Sequence, residues 1–166
     1  MNVPWELIDL IPVKWIKKII LKRKINAFRI EMDLDLKLLN DYYQSLSIKK
    51  DEYERYCEIT TLSGPISKMK EKPLPQWNHK KMGVDISLVA EGLSEKEHRA
   101  IRDFQGQLDK ITEIISNIKD VTIAHDDAEM KRDLDKGDKC EHKIINLWEQ
   151  FEKTVDYRLK KGNPLN

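Results

Sequence analysis

The residues that come closest to a chemical constellation lie in one short stretch, Lys119 to Asp127, of the 166-residue chain. It combines a cation, Lys119, with a histidine six residues later, His125, whose side chain changes charge near neutral pH. Asp126 and Asp127 follow the histidine directly. A histidine beside carboxylates at a helix end is more often a capping or surface hydrogen-bonding group. The sequence therefore predicts no catalytic residue as its first choice.

Side chains that bind metals occur near the same stretch, but their spacing does not build a site. The candidates are His125, Asp126, Asp127, Cys140 and His142. Structural zinc sites use paired ligands such as C-x2-C, whereas Cys140 and His142 are two residues apart, which directs them to different sides of a helix. A di-iron bundle repeats Glu-x-x-His on two helices, and the chain has only Glu95 to His98. No phosphate-binding or dinucleotide-binding glycine motif occurs. We therefore predict no metal and no cofactor.

The spacing from Lys119 to His125 resembles the HEPN family of helical ribonucleases and their inactive relatives. That family carries an arginine, a polar residue and, a few residues later, a histidine. The resemblance covers this short stretch and its helical context. It implies that His125 is a proton-transfer residue at a dimer interface and Lys119 a phosphate contact. The chain departs from the pattern at Lys119, because lysine lacks the planar guanidinium fork that grips a phosphate. A HEPN-like ribonuclease, or an inactive relative, is the enzymatic alternative.

The elements that would position these residues are helices. One segment carries apolar residues at alternating steps of three and four, which form a coiled-coil-like seam: Ile101, Phe104, Leu108, Ile111, Ile115 and Ile118. Ser94 and Glu97 form a capping box at the start of this helix, which runs to about Lys119 or beyond. A last helix is predicted from about Asp138, with an apolar face from Ile144 to Leu159. The charged fraction of 36%, with only six glycines and six prolines, favours solvent-exposed helices.

The first half of the chain contains a long predicted helix, from Val13 to about Leu46, without glycine or proline. Its apolar stripe consists of Ile16, Ile20, Ala27, Ile30, Leu34, Leu38 and Tyr42. We expect the seam to pack against the last helix and part of this stripe. The prediction is an all-α, elongated bundle of about four helices at 25–166, with a proline-rich linker at about 71–76 and an N-terminal amphipathic helical arm at 1–24.

Several local features carry more specific expectations. A second helix is predicted after Ser47, and Ser63-Gly64-Pro65 predicts a break or sharp bend. His79 is interpreted as an exposed loop histidine. Gly106, inside the seam helix, indicates either weak local packing or close approach of another backbone.

The N-terminal arm is the surface that the sequence singles out for binding. The candidate partner-binding residues are Trp5, Trp15, Ile16, Lys17, Lys18, Ile19, Lys22 and Arg23. Cations at the start of a helix oppose its dipole, so local stability does not explain them. A basic apolar helix can dock in a groove of a partner protein, lie in a membrane interface, or contact nucleic acid phosphates. Glu6 and Asp9 disfavour anionic lipid.

These features predict a non-enzymatic interaction or accessory subunit of a larger prokaryotic or phage-related complex. It would bind a protein partner or a second copy through the arm and the bundle surface. A peripheral membrane-surface protein is a further alternative, and nucleic acid contact is not favoured. The layout, including Pro75-Gln76-Trp77 and Leu93-Ser94, resembles a group of small prokaryotic helical proteins without a common activity. Cys57 and Cys140 predict reduced thiols in a cytoplasmic protein, with membrane association as the alternative.

Overall fold

The structure, a computed structural model, describes residues 13–46, 60–81 and 90–166, and these residues contain helices and no strand. The helices are α1 (Val13–Leu46), α2 (Thr60–Glu71), α3 (Asn78–Lys81), α4 (Glu95–Met130) and α5 (Leu134–Lys161), with a 3-10 turn at Ala90–Gly92. The predicted all-α class and the packing of long helices into a bundle are confirmed. Trp5, Cys57 and the helix expected after Ser47 lie outside the described residues.

Helices α4 and α5 form a long antiparallel pair that organises the bundle. At 1.5 Å per residue, α4 is about 54 Å long and α5 about 42 Å. Three residues join them, and Arg132 among these has a left-handed φ of 57°. Every seam residue of α4 is buried, as predicted, and the seam packs with Phe151 and Val155 of α5 in one core.

Capping side chains set the helix ends. The Ser94 hydroxyl accepts from the Glu97 backbone N–H (3.3 Å), and the Glu97 carboxylate accepts from the Ser94 N–H (2.7 Å), which confirms the capping box. Asp133 accepts from the backbone N–H of Lys136 (3.1 Å). This cap begins α5 at Leu134, earlier than the predicted Asp138. Most residues from 126 to 138 therefore belong to the adjoining ends of α4 and α5 and are exposed.

Two further local predictions each offered two alternatives, and in each case the structure excludes one of them. Helix α2 continues through Pro65, so a break at Ser63-Gly64-Pro65 is wrong, and a sharp bend there stays a prediction. Proline lacks only the N–H that would bond to Thr61, and buried Pro65 and Ile66 hold this helix against the core. At Gly106 an added Cβ would meet no atom of the described residues within 4 Å, so close approach of another backbone is wrong and weak local packing is the alternative that fits.

Helix α1 buries a different face from the predicted one. Its buried residues step by four, three, four, three and four, and we name them the inner seam: Phe28, Met32, Asp35, Leu39, Tyr42 and Leu46. Of the predicted stripe only Tyr42 is buried. The prediction failed because a charged residue interrupts the inner seam, whereas the other stripe contains more aliphatic residues.

Two contacts, one in the C-terminal half of α5 and one just beyond its end, fix the direction of α1. The Tyr43 hydroxyl donates to Glu152 (3.4 Å), and buried Asn163 donates to the Arg29 carbonyl and to Asp33 (both 2.8 Å). Since the chain numbers run in opposite senses, α1 is antiparallel to α5. The C-terminal turn thus holds α1 near Arg29, and the helix continues towards Val13 from there.

Candidate functional site

The N-terminal segment of α1 displays the predicted partner-binding residues at the surface. Trp15 is 56% exposed, and Lys17, Lys18, Lys22 and Arg23 are exposed as well. Ile19 is half-buried. In the described part of α1, burial begins only at Phe28. The segment nevertheless has one packed side, because a Cβ at Gly92 would come within 2.6–2.8 Å of Leu21 and Ile25.

A second apolar face runs along α1 away from the inner seam. We name it the outer stripe, and it consists of Ile16, Ile20, Arg23, Ala27, Ile30 and Leu34. These residues also step by four, three, four, three and four, which is the spacing of a coiled-coil seam. The isoleucines and the leucine are between 41% and 48% exposed. At 100° per residue, the stripe lies about 120° around the helix from the inner seam. Helix α1 therefore has one apolar face in the bundle and another at the surface.

Charge divides α1 into two halves. Seven cations and no carboxylate lie between Val13 and Ile30: Lys14, Lys17, Lys18, Lys22, Arg23, Lys24 and Arg29. From Glu31 to Leu46 the balance reverses, with four carboxylates and only Lys37 as a cation. Of these acidic residues Asp35 is buried and the others are at least partly exposed. The outer stripe thus has a basic end and an acidic end.

A buried ionisable pair joins α1 to α3. The Asp35 carboxylate accepts from Nδ1 of His79 (2.6 Å), from the His79 backbone N–H (3.1 Å) and from the Asn78 backbone N–H. Both side chains are at most 2% exposed. The His79 ring lies edge-on to Phe104, with 6.2 Å between ring centroids. The expectation of an exposed loop histidine is wrong, because this carboxylate draws the loop into the core.

The Asp35–His79 pair has the orientation that activates a nucleophile in hydrolases, but its surroundings do not serve that chemistry. Nε2 of His79 is buried and has no hydrogen-bond partner among the described residues. Both side chains of the pair are buried and join two helices, so we interpret the pair as a structural cross-link between α1 and α3.

Lys119 and His125 face different neighbours. The Lys119 ammonium donates to the carbonyl of Lys72, between α2 and α3. Nε2 of His125 lies 3.4 Å from a carboxylate oxygen of Glu141 on α5 and 4.0 Å from Glu129. The two residues proposed from the HEPN resemblance therefore have no shared partner in the described part of the chain.

The potential metal ligands are only partly brought together. Single ligand atoms of His125, Asp126 and Glu129 lie within 4.8 Å of one another. Asp126 is paired with Lys70, and His142 is bonded to the Asp138 carbonyl (2.8 Å). Asp127 is paired with Lys131 (3.0 Å). Lys131 lowers the pKa of this carboxyl by hydrogen bonding. The cluster at the α4–α5 corner is consistent with surface ion pairing, and it lacks the four converging ligands of a structural zinc site.

Two surface depressions, of about 400 and 320 Å³, do not gather reactive groups. The first is lined by Lys153, Asp156, Tyr157, Lys160 and Lys161, and the second by Pro75, Gln76, Trp77, Lys80 and Thr112. Neither holds a nucleophile next to a base. Within residues 13–46, 60–81 and 90–166, no helix has an apolar stretch long enough to cross a bilayer.

Comparison with known proteins adds no relative to this picture. No family model matches the chain, and no curated protein or solved structure matches it either. Among the described residues, the N-terminal half of α1 combines exposed apolar side chains with seven cations and no carboxylate.

Proposed function

We propose that the protein is a non-enzymatic interaction subunit that binds a protein surface through the N-terminal half of α1. The observation that carries the proposal is the exposed apolar surface within a carboxylate-free basic segment. Val13 and Trp15 are 68% and 56% exposed, and Ile16 and Ile20 lie beside them. The segment continues a helix that the bundle holds from Phe28 onwards, so it is presented in a defined direction.

The chemistry of the partner follows from the chemistry of the segment. Large apolar side chains lose contact with water on docking, at about 25 cal/mol per Å² of apolar surface. The seven cations between Val13 and Ile30 favour a partner surface that is acidic around an apolar centre. A helix that docks by one face into such a surface is a common mode of protein recognition.

Charge reversal at matched positions tests this proposal. The arm variant carries Lys17→Glu, Lys18→Glu, Lys22→Glu and Arg23→Glu. The control carries the same change at four exposed cations of α4 and α5: Lys96, Lys110, Lys139 and Lys143. Both variants change the net charge equally, so a nonspecific charge effect is the same in each.

Proteins captured by the parent from native cells are purified, and their binding is measured by titration at two ionic strengths. We expect the control to bind like the parent and the arm variant to bind at least ~10-fold more weakly. Added salt should weaken parent binding, since exposed charges are screened. Equal binding by the arm variant and the control would refute the proposal. Flotation with anionic vesicles, lost in the arm variant, together with no purified protein partner, would instead support the membrane-surface alternative.

A further inference from the structure

We propose that the surface bound by α1 is the α1 of a second copy, packed antiparallel along the outer stripe. The inference rests on the proposed function, because it names the partner of that same surface. It starts from the observation that the outer stripe of one chain includes the kind of surface that the basic segment of another chain favours. Its C-terminal part is apolar and is flanked by carboxylates.

The outer stripe is symmetric about residue 25. In an antiparallel pair, Ile16 lies opposite Leu34 of the second copy and Ile20 opposite Ile30. Arg23 then lies opposite Ala27, so the longest side chain of the stripe meets the shortest. These contacts span 18 residues, or about 27 Å of helix. One two-fold axis generates all of them twice, as expected for an isologous dimer.

Charge selects the antiparallel direction. In this register Lys17 flanks the stripe beside Glu31 of the second copy, and the reciprocal pair forms across the axis. The basic segment of each copy then runs along the half of α1 that contains Glu31 and Asp33. A parallel pair would place Arg23 against Arg23 and align the two basic segments. Near the two-fold axis, Lys24 of one copy approaches Lys24 of the other. This is the main like-charge contact of the antiparallel register.

The bundle leaves this face accessible. The inner seam packs into the core from about 120° away, so a second copy can dock without displacing α4 or α5. Exposure of 41–48% at Ile16, Ile20, Ile30 and Leu34 shows that the described residues of the same chain leave these side chains largely uncovered. A helix with an apolar stripe on each of two faces needs two partners to bury both.

Mass in solution tests the dimer. The full chain should sediment at twice its monomer mass of 19.6 kDa. Ile30→Asp in the outer stripe should weaken dimerisation at least ~10-fold with unchanged helicity. Ile145→Asp is the matched control, since Ile145 is similarly exposed, at 40%, on α5. A protein that is still monomeric at about 100 µM, which is on the order of the dissociation constant of the weakest specific dimers, would overturn the inference. So would a dimer that Ile30→Asp leaves intact.

Orientation is tested by a charge exchange and by disulfide trapping. Lys17→Glu should weaken the dimer, and adding Glu31→Lys should restore it, because the pair is recreated with reversed sign. With Cys57→Ser and Cys140→Ser as background, a chain with Ile16→Cys should cross-link to a chain with Leu34→Cys and not to itself. Self-linking through Ile16→Cys would indicate a parallel pair and overturn the register. Failure of these tests leaves the capture experiment with charge-reversed variants as an independent measure of the proposed function.

Discussion

The inner seam and the outer stripe of α1 have the same spacing, but the first is buried and the second is largely exposed. Each has six positions in steps of four, three, four, three and four, and in each the third position is charged. In the inner seam this residue is Asp35, which accepts three hydrogen bonds from His79 and Asn78. In the outer stripe it is Arg23, which is exposed. Spacing thus identifies helix faces that can be buried. Which of them is buried within the same chain depends on complementary groups elsewhere in the chain, here His79 and Asn78.

The largest expected effect comes from one chemical change made on a buried and on an exposed stripe. Ile111→Asp places a carboxylate at a fully buried position of the α4 seam and should destabilise the fold by at least ~4 kcal/mol. Such a loss is a large part of the total stability of a small domain. Ile30→Asp on the outer stripe should change the stability of the monomer by less than ~1 kcal/mol. Thermal and urea unfolding, followed by circular dichroism at low protein concentration, measure both.

The burial pattern is contradicted if Ile30→Asp lowers the stability of the monomer more than Ile111→Asp does. A cooperative melt of Ile111→Asp close to that of the parent would mean that the α4 seam is not the core. A large loss in Ile30→Asp at concentrations where the chain is monomeric would mean that the outer stripe packs within its own chain.

Sequence patterns were sufficient where burial and capping are local. The α4 seam, the Ser94–Glu97 capping box and the extent of α1 were all predicted, because each depends on residues within a few turns of one helix. The choice between the two faces of α1 depends on His79, more than 40 residues away in the chain. Asp35 lies in a regular series with Met32 and Leu39, and this series was the available signal for a buried carboxylate.

The positions of the candidate site residues were predictable in part for the same reason. A basic segment on a helix is exposed unless a partner for its charges exists, so the exposure of Lys17 and Lys22 was predictable, while their role in binding stays a prediction. By contrast, Lys119 and His125 lie close in sequence, and their environments depend on the segment between α2 and α3 and on α5. No pattern within their own helix indicates those contacts.

Removal of the Asp35 carboxylate should have the next largest effect. Asp35→Ala leaves the His79 ring and two backbone N–H groups without their buried acceptor, which should cost about 3 kcal/mol. Asp35→Asn retains one acceptor oxygen and should recover part of that loss. Asp41→Ala is the control, because Asp41 is exposed on the same helix. Urea unfolding with a shared m-value gives the differences, and equal stability of Asp35→Ala and Asp41→Ala would show that the cross-link contributes nothing.

A smaller, stabilising effect is expected at Gly106. The helix is exposed there, and a Cβ would meet no atom within 4 Å. Gly106→Ala should therefore raise the free energy of unfolding by up to ~1 kcal/mol through helix propensity alone. Gly162→Ala is the contrasting variant, since Gly162 ends α5 with a φ of 66° that strains any other residue. A melting temperature that falls in Gly106→Ala would indicate a close contact at that face of α4.

The smallest effect at neutral pH is expected at Tyr42, the inner-seam residue whose buried hydroxyl has no hydrogen-bond partner in the described part of the chain. Burial disfavours the phenolate and raises the pKa of Tyr42 to about 12, from 10.0. The unfolded chain therefore loses this proton first, and the stability contributed by the neutral ring is lost as pH rises from about 10 to about 12.

Tyr42→Phe keeps the ring in the seam and removes both the unsatisfied hydroxyl and its titration. Its stability at pH 7 should lie within about 1 kcal/mol of the parent, and its loss between pH 10 and 12 should be smaller. Tyr43, whose pKa is also raised by burial and by Glu152, retains part of the alkaline loss in both proteins. Urea unfolding across this pH range, with exposed Tyr157→Phe as control, measures the difference. An alkaline loss in Tyr42→Phe equal to that of the parent would mean that the inner seam admits solvent at Tyr42. The contrast between a sealed and an exposed face of α1 would then hold only as far as Leu39.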